Sequence, residues 1–305
     1  MTQEKVNAFR VWVDAARLRT LPLASSAVIL GGGLAALEGP FHWGVFLLSV
    51  LTGVLLQILA NFANDYGDAV NGADGANRVG PKRAVSSGEI SRKAMRAALV
   101  ALSLVSMASG LALLTVSLDA DLVMWVVFLI LGGGAIAASV FYTVGKRPYG
   151  YRGLGDFFVF LFFGLVAVAG SYALYGAPLF SLPWLPACAT GLFITAVLNI
   201  NNIRDMSNDF ASGKETLALR LGPRNARVYH LLLVGLGVAC WLIWLLSAGY
   251  GRFLWLMLAA VPLGQSAWRV YGSLRTDVLD GQLRIFSLSV GFYNILLAVA
   301  LPLMV

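Results

Sequence analysis

WGVFLLSVLTGVLLQILANFANDYGD, the stretch from Trp43 to Asp68, joins a long apolar run to an acidic end. Its first 21 residues, through Ala63, contain no charged side chain. A helix needs about 20 mostly apolar residues to cross the hydrocarbon core of a bilayer. The stretch therefore predicts a membrane span that delivers carboxylates to one membrane face.

The composition of the whole chain agrees with a membrane protein. The 305 residues are 59% hydrophobic and 12% charged, whereas soluble domains carry about 25% charged residues. Two cysteines, both inside apolar runs, are too few for a disulfide scaffold. These numbers exclude soluble, disordered and disulfide-stapled proteins and leave a chain that uses lipid as its solvent.

Nine apolar runs between charged breaks predict nine transmembrane helices in a single membrane-embedded domain, residues 1–305. An apolar stripe at helical spacing predicts that residues 1–20 form a helix lying on the membrane surface. The predicted spans run from Leu21 to Leu37, Trp43 to Ala63, Ala94 to Ser117, Leu122 to Gly145, Phe157 to Tyr175, Trp184 to Ile203, Val228 to Ala248, Phe253 to Gly272 and Ile285 to Val305.

The basic residues sort to one side of this nine-span arrangement. Of 22 Lys and Arg, 21 fall in the N-terminal segment, the even-numbered loops or the adjoining span ends, and only Arg252 falls on the other side. The positive-inside rule makes the first side cytoplasmic and places the C-terminus opposite. The net charge of +7 thus reports membrane topology, and a nucleic-acid partner is not expected.

Two predicted cytoplasmic loops, residues 64–93 and 204–227, are longer than connections between helices usually are. Each begins with carboxylates and continues with cations. Asp65 and Asp68 are three residues apart and Asp205 and Asp209 four, so each pair shares a helix face. A divalent cation would offset the repulsion within each pair, and Mg²⁺ prefers such oxygen ligands together with substrate phosphate. The pattern predicts diphosphate held through Mg²⁺ and by Lys and Arg.

The two acidic regions also echo one another, because Asn61 and Asp65 recur 140 residues later as Asn201 and Asp205. This pseudo-repeat predicts two halves with a site between them. The alternative is that the acids are ordinary solvated charges at span ends. Ionisable residues at membrane depth are usually functional, which favours the site.

The motifs resemble those of the UbiA superfamily of intramembrane prenyltransferases. NDYGD at 64–68 matches the start of the family's NDxxDxxxD motif, and RDMSND at 204–209 matches its DxxxD motif. The third acid of the first motif is expected at Gly72, but Asp74 stands two residues later. This DxxxGxD form, TLPLA at 20–24 and YTVGKRPYGYRGLGD at 142–156 are similar to the branch that prenylates 1,4-dihydroxy-2-naphthoate.

The resemblance implies an all-α fold of nine transmembrane helices around a central cavity, with two Mg²⁺ ions and a third cytoplasmic catalytic loop at about 146–156. It assigns metal binding to Asp65, Asp68, Asp205 and Asp209, and less firmly to Asp74. Asn64 would orient the cluster, Tyr142 would shield a cation and Asp156 would orient or deprotonate the acceptor. The residues implied to hold diphosphate are Arg78, Lys82, Lys146 and Lys214.

The implied reaction transfers a polyprenyl group from polyprenyl diphosphate to 1,4-dihydroxy-2-naphthoate, with loss of CO₂ and diphosphate, giving demethylmenaquinol in menaquinone biosynthesis. The implied location is the bacterial cytoplasmic membrane. Another aromatic acceptor such as 4-hydroxybenzoate is the main alternative. Paired halves with charged helix ends would also suit a secondary transporter. GLGD at 153–156 matches one sequence string of intramembrane aspartyl proteases, but no other feature of the sequence favours that class.

Overall fold

The computed structural model describes residues 8–72, 83–177, 183–273 and 275–305. Within these ranges the chain is helical and contains no strand, which confirms the predicted all-α class. The helices are α1 (Ala8–Ala16), α2 (Leu21–Ala35), α3 (Trp43–Asn71), α4 (Arg92–Ser117), α5 (Leu122–Phe141), α6 (Gly155–Ala173), α7 (Trp184–Ala211), α8 (Leu217–Ser247), α9 (Val261–Gly272) and α10 (Thr276–Met304).

Eight helical segments in the described ranges are long and apolar enough to cross a membrane. The predicted span at 253–272 is not among them, because a 3₁₀ helix, Gly251–Ala260, precedes α9 and divides the segment. The segment is nevertheless helical throughout. The predicted count of nine transmembrane helices is therefore approximate, whereas the predicted class of polytopic membrane protein is confirmed. Both α3 and α7 continue beyond their predicted ends, which places Asp65, Asp68, Asp205 and Asp209 on helices.

The outer surface of the bundle is apolar. No residue of α5 is buried, and Leu122 and Ile130 on this helix are 77% and 68% exposed. Such a surface would be unfavourable in water over this length but is suited to lipid, where helices satisfy all their backbone hydrogen bonds internally. The chain is therefore a polytopic membrane protein.

Of the helix predicted for residues 1–20, residues 1–7 lie outside the described residues, and α1 (Ala8–Ala16) packs on α3. Val11 and Ala15 are buried, and the rings of Trp12 and Phe62 lie 5.4 Å apart. At the end of α1 the chain turns at Arg17, which has a φ of 51°. Phe9 is 75% exposed, so the apolar stripe predicted for this segment faces the protein only in part, and its membrane-surface position stays a prediction.

The largest part of the core lies among α2, α6, α7, α8 and α10. Phe193, Trp241, Phe286 and Tyr293 are fully buried there. The helices α6 and α7 approach closely at Gly164, where a Cβ atom would lie 2.6 Å from the Cα of Gly191. Small residues allow such backbone contact between membrane helices, and this contact fixes α6 against α7.

The C-terminal end of α3 is fixed by Thr143, which follows α5. The Thr143 hydroxyl donates to the Ala63 carbonyl at 2.8 Å, and the Asn71 amide donates to the Thr143 carbonyl at 2.8 Å. Between them, a Cβ atom on Gly67 would lie 2.5 Å from the Thr143 hydroxyl oxygen. Residues 63, 67 and 71 share one helix face. Their contacts with Thr143 therefore fix the rotation of α3 about its axis and, with it, the direction in which Asp68 points.

We expect Gly67→Ala to destabilise the protein by about 1–3 kcal/mol, since the added methyl group overlaps Thr143. Gly235→Ala is the matched control because nothing lies within 4 Å of its Cβ position in α8, and there alanine should stabilise the helix by up to about 1 kcal/mol. Thermal unfolding of the purified variants in one detergent measures both effects. Equal stability changes in the two variants would contradict the Thr143 contact.

Candidate active site

Asp68 lies at the C-terminal end of α3 and is 5% exposed. Its Oδ2 atom pairs with the guanidinium of Arg83, and its Oδ1 atom accepts a hydrogen bond from the Tyr151 hydroxyl at 2.8 Å. A carboxylate is costly to bury unless charge and hydrogen bonds compensate it. Both donors come from outside α3, so three chain segments meet at this carboxylate.

Asp65, one helical turn earlier, is 1% exposed and binds backbone. Its Oδ2 and Oδ1 atoms accept the amide hydrogens of Ala84 and Val85 at 3.0 and 2.9 Å. These bonds hold residues 84 and 85 against α3 and so place the preceding residue, Arg83, beside Asp68. This is a structural use of Asp65 that the sequence did not predict, and its predicted metal binding stays a prediction.

In the second motif, Asp205 is held by its neighbour Arg204. The guanidinium Nε and Nη2 atoms donate to the two Asp205 oxygens at 2.7 and 2.8 Å. Its Nη1 atom donates to Asp280 on α10 at 2.8 Å, and Nη2 also donates to the Asn201 side chain. A bidentate pair of this kind fixes the carboxylate orientation, and Asp280 anchors the arginine.

Asp209 is one turn further along α7 and is 3% exposed. Its Oδ1 atom lies 3.4 Å from the Lys214 ammonium, and the charges of Asp205 and Asp68 also act on it. Asp68 of the first motif therefore lies close enough to Asp209 of the second for their charges to interact; that the acids of both motifs form one metal site stays a prediction. Two buried oxygens at this end, Asp209 Oδ2 and Asn64 Oδ1, have no hydrogen-bond partner in the described residues.

The donor set fits a divalent cation of the Mg²⁺ type, because it consists of carboxylate and amide oxygens, two of them unpartnered. Within the ranges that the structure describes, no three His, Cys, Asp or Glu side chains converge closely enough to hold an ion by themselves. Arg83, Arg204 and Lys214 neutralise the acids instead. Cation binding there requires these side chains to give up or share their carboxylates.

An apolar cavity of about 360 Å³ begins beside this cluster. It is lined by α2 to α6, with Leu198 of α7, and Asn64 and Tyr142 lie on its wall. The cavity thus belongs mainly to the first half of the chain, although the pseudo-repeat predicts a site between halves. The acids of both halves lie near the Asn64 end of the cavity. Asp68 is one helical turn beyond Asn64. Tyr151 contacts both Asp68 and Lys214, the partner of Asp209.

Aromatic side chains line the part of the cavity near the acids. The Tyr142 and Tyr149 rings are 5.4 Å apart, and Tyr149 lies 4.2 Å from the Phe158 ring. Burial raises the pKa of the Tyr149 hydroxyl, which donates to the Ala138 carbonyl at 2.7 Å. The predicted cavity tyrosine is therefore in place, with a second tyrosine beside it.

Asp156 begins α6 and is 6% exposed. The Tyr229 hydroxyl and the Tyr142 ring both lie close enough to interact with its carboxylate. The Oδ2 atom is buried without a partner in the described part of the chain. The position beside the cavity tyrosine is compatible with the predicted contact to an acceptor, which stays a prediction.

Of the remaining predicted site residues, only one lies beside the acids in the described part of the chain. Lys214 faces Asp209, whereas Lys146 is exposed, and Asp74, Arg78 and Lys82 lie outside the described residues. The sequence motifs did not predict roles for five further residues near the acids, which are Arg83, Tyr151, Arg204, Tyr229 and Asp280. Arg83 and Arg204 adjoin the quoted motifs and could have been found by asking which cations balance the buried acids.

The sequence matches the UbiA prenyltransferase family from residue 25 to residue 295. The chain belongs to the UbiA prenyltransferase family. It is 46% identical over 263 residues to the 1,4-dihydroxy-2-naphthoate octaprenyltransferase of Escherichia coli, covering 86% of this chain and 85% of that protein. It is 40% identical to the enzyme of the same name from Haemophilus influenzae, covering 99% and 97% of the two chains.

Solved structures of UbiA homologues share the fold. The apo homologue from Aeropyrum pernix K1 aligns with a TM-score of 0.66 at 19% identity, covering 89% of this chain and 96% of that one. A homologue from Archaeoglobus fulgidus bound to GPP and Mg²⁺ aligns with a TM-score of 0.65 at 16% identity, covering 93% and 99%. The UbiA assignment favours prenyl transfer over the transporter and protease alternatives.

We expect Asp65→Asn to loosen the segment after residue 83, because an asparagine offers one acceptor oxygen where two amides require two. The lost bond to a buried charged acceptor should cost about 1–3 kcal/mol of stability. Hydrogen exchange at the Ala84 and Val85 amides measures the local effect. Asp119→Asn, at an exposed loop position, is the control, and unchanged exchange in Asp65→Asn would contradict the contact.

Proposed function

We propose that the protein transfers a polyprenyl group from polyprenyl diphosphate to 1,4-dihydroxy-2-naphthoate, with release of diphosphate and CO₂. The observation that carries the proposal is an apolar cavity of about 360 Å³ that ends at a buried cluster of acids and cations. Such a site suits a substrate with a long hydrocarbon tail and a diphosphate head. The relatives that share 40–46% of the sequence carry the name of this activity.

The diphosphate head would lie between the two acidic motifs. Asn64, Asp68, Asp205 and Asp209 would hold two Mg²⁺ ions, and Asp65 is retained as a candidate ligand alongside its bonds to backbone. Bound Mg²⁺ neutralises the diphosphate and stabilises it as a leaving group. Lys214 would turn from Asp209 to the diphosphate; Lys146, Arg78 and Lys82 are proposed to add further positive charge.

The prenyl tail would lie in the cavity, with the reacting carbon near its aromatic end. The rings of Tyr142, Tyr149 and Phe158 present faces that attract a developing allylic cation. The apolar wall keeps water away, so the cation meets the aromatic acceptor instead of being hydrolysed. The chain's own contribution to catalysis is therefore positioning, exclusion of water and stabilisation of charge.

The acceptor would enter beside Tyr142 and Asp156. The carbon–oxygen bond of the prenyl diphosphate breaks, and the ring carbon that bears the carboxylate forms the new carbon–carbon bond. The carboxylate then leaves as CO₂ and returns its bonding electrons to the ring. Asp156, whose Oδ2 atom has no partner in the described residues, would orient a hydroxyl group of the ring. The basic face of the chain would be the cytoplasmic side of the bacterial inner membrane.

The test is an assay of membranes supplied with Mg²⁺, an allylic polyprenyl diphosphate and carboxyl-labelled 1,4-dihydroxy-2-naphthoate or 4-hydroxybenzoate. We expect CO₂ release with the naphthoate. Asp68→Asn and Asp209→Asn should each lower turnover at least about 100-fold, since they remove charge from the diphosphate site. Asp119→Asn, outside the site, should retain activity. Prenylated 4-hydroxybenzoate without CO₂ release would overturn the acceptor, and full activity in both site variants would overturn the metal assignment.

The tail position predicts a dependence on chain length. Gly132 on α5 lines the cavity, and nothing lies within 4 Å of its Cβ position. A phenylalanine there should fill space that a long tail needs, raising KM for an octaprenyl donor about 10-fold or more while changing KM for geranyl diphosphate little. Gly133→Phe is the matched control, because the neighbouring Gly133 has equal room but does not line the cavity. Equal effects on both donors would contradict the placement.

A further inference from the structure

Tyr151 lies on a short turn whose shape is fixed by its neighbours. The turn is a 3₁₀ helix, Tyr149–Arg152, that ends at Gly153 with a φ of 73°. At its centre, a Cβ atom on Gly150 would lie 2.6 Å from the Tyr142 carbonyl oxygen, so only glycine fits. The turn sends Tyr149 to the cavity wall and the hydroxyl of Tyr151 to Asp68.

Tyr151 is in contact with both acidic motifs. Its hydroxyl donates to Asp68 Oδ1 at 2.8 Å, and its ring centroid lies 5.7 Å from the Lys214 ammonium. Its backbone carbonyl accepts the Glu215 amide at 3.1 Å. One residue thus joins the end of α3 to the segment that follows α7, which brings Lys214 to Asp209.

The two oxygens of Asp68 have different partners. Tyr151 holds Oδ1 through a neutral hydroxyl, whereas Oδ2 faces the Arg83 guanidinium. An incoming cation would displace Arg83 from Oδ2 by charge repulsion but would have no such effect on the Tyr151 hydroxyl. Partners that orient the ligands of a metal are a general feature of metal sites, and Tyr151 has the geometry for that role.

We infer that Tyr151 is a positioning residue that orients Asp68 for a divalent cation and Lys214 for the diphosphate, and so couples the two motifs. The inference rests on the proposed function. Its two contacts are chemically separable, because the hydroxyl acts on Asp68 and the ring acts on Lys214. Tyr151→Phe removes the first contact and keeps the second, whereas Tyr151→Leu removes both.

The experiment measures Mn²⁺ binding by electron paramagnetic resonance on the purified full-length protein, together with KM for the prenyl diphosphate at saturating Mg²⁺. Tyr151→Phe should weaken Mn²⁺ binding about 10- to 100-fold and leave KM near the wild-type value. Tyr151→Leu should weaken Mn²⁺ binding equally and also raise KM about 2- to 5-fold. Thermal unfolding should show that Tyr151→Phe remains folded.

Tyr271 provides the matched control, because its ring centroid lies 6.0 Å from the Arg227 guanidinium outside the site. Tyr271→Phe and Tyr271→Leu should bind Mn²⁺ like the wild type. Wild-type Mn²⁺ affinity in a folded Tyr151→Phe variant would overturn the inference and leave the proposed function intact. Failure of the wild-type protein to bind Mn²⁺ would instead overturn the metal assignment on which both rest.

Discussion

Burial of carboxylates at the C-terminal ends of α3 and α7 is the constraint on which the rest of this structure depends. A buried, unpaired carboxylate would cost several kcal/mol, so each of these acids is paired with hydrogen-bond donors. Asp65 accepts hydrogen bonds from two backbone amides. Asp68 pairs with Arg83 and accepts a hydrogen bond from Tyr151, and Asp205 pairs with Arg204. In the described residues, these contacts hold the segment after residue 83 and the turn at residues 149–152 against the end of α3.

The acids of the two motifs take their hydrogen-bond donors from different parts of the chain. In the first, the donors come from chain that follows the motif and from the turn between α5 and α6. In the second, the bidentate donor is the residue next to the acid, and Asp280 on α10 anchors it. The sequence echo between Asp65 and Asp205 therefore does not extend to their partners: one carboxylate binds backbone and the other binds a guanidinium.

Much of this architecture could be predicted because its signals are local. Apolar run length gave the membrane helices, and the spacing of Asp65 with Asp68 and of Asp205 with Asp209 placed each pair on one helix face. The pairings that complete the site are not local, since Tyr151 is 83 residues from Asp68 and Arg204 is 76 residues from Asp280. The location of the cavity likewise depends on how closely α6 and α7 pack, which glycine content alone does not reveal.

The two walls of the cavity differ in how closely they are packed against the rest of the protein. On one side α6 is fixed by the close backbone contact of Gly164 with α7. On the other side no residue of α5 is buried, so the outer support of that wall is the surrounding lipid. We therefore expect the hydrocarbon of the bilayer to support this wall of the cavity. A change in acyl-chain packing, or replacement of lipid by detergent, should then alter the space inside the cavity without any change in sequence.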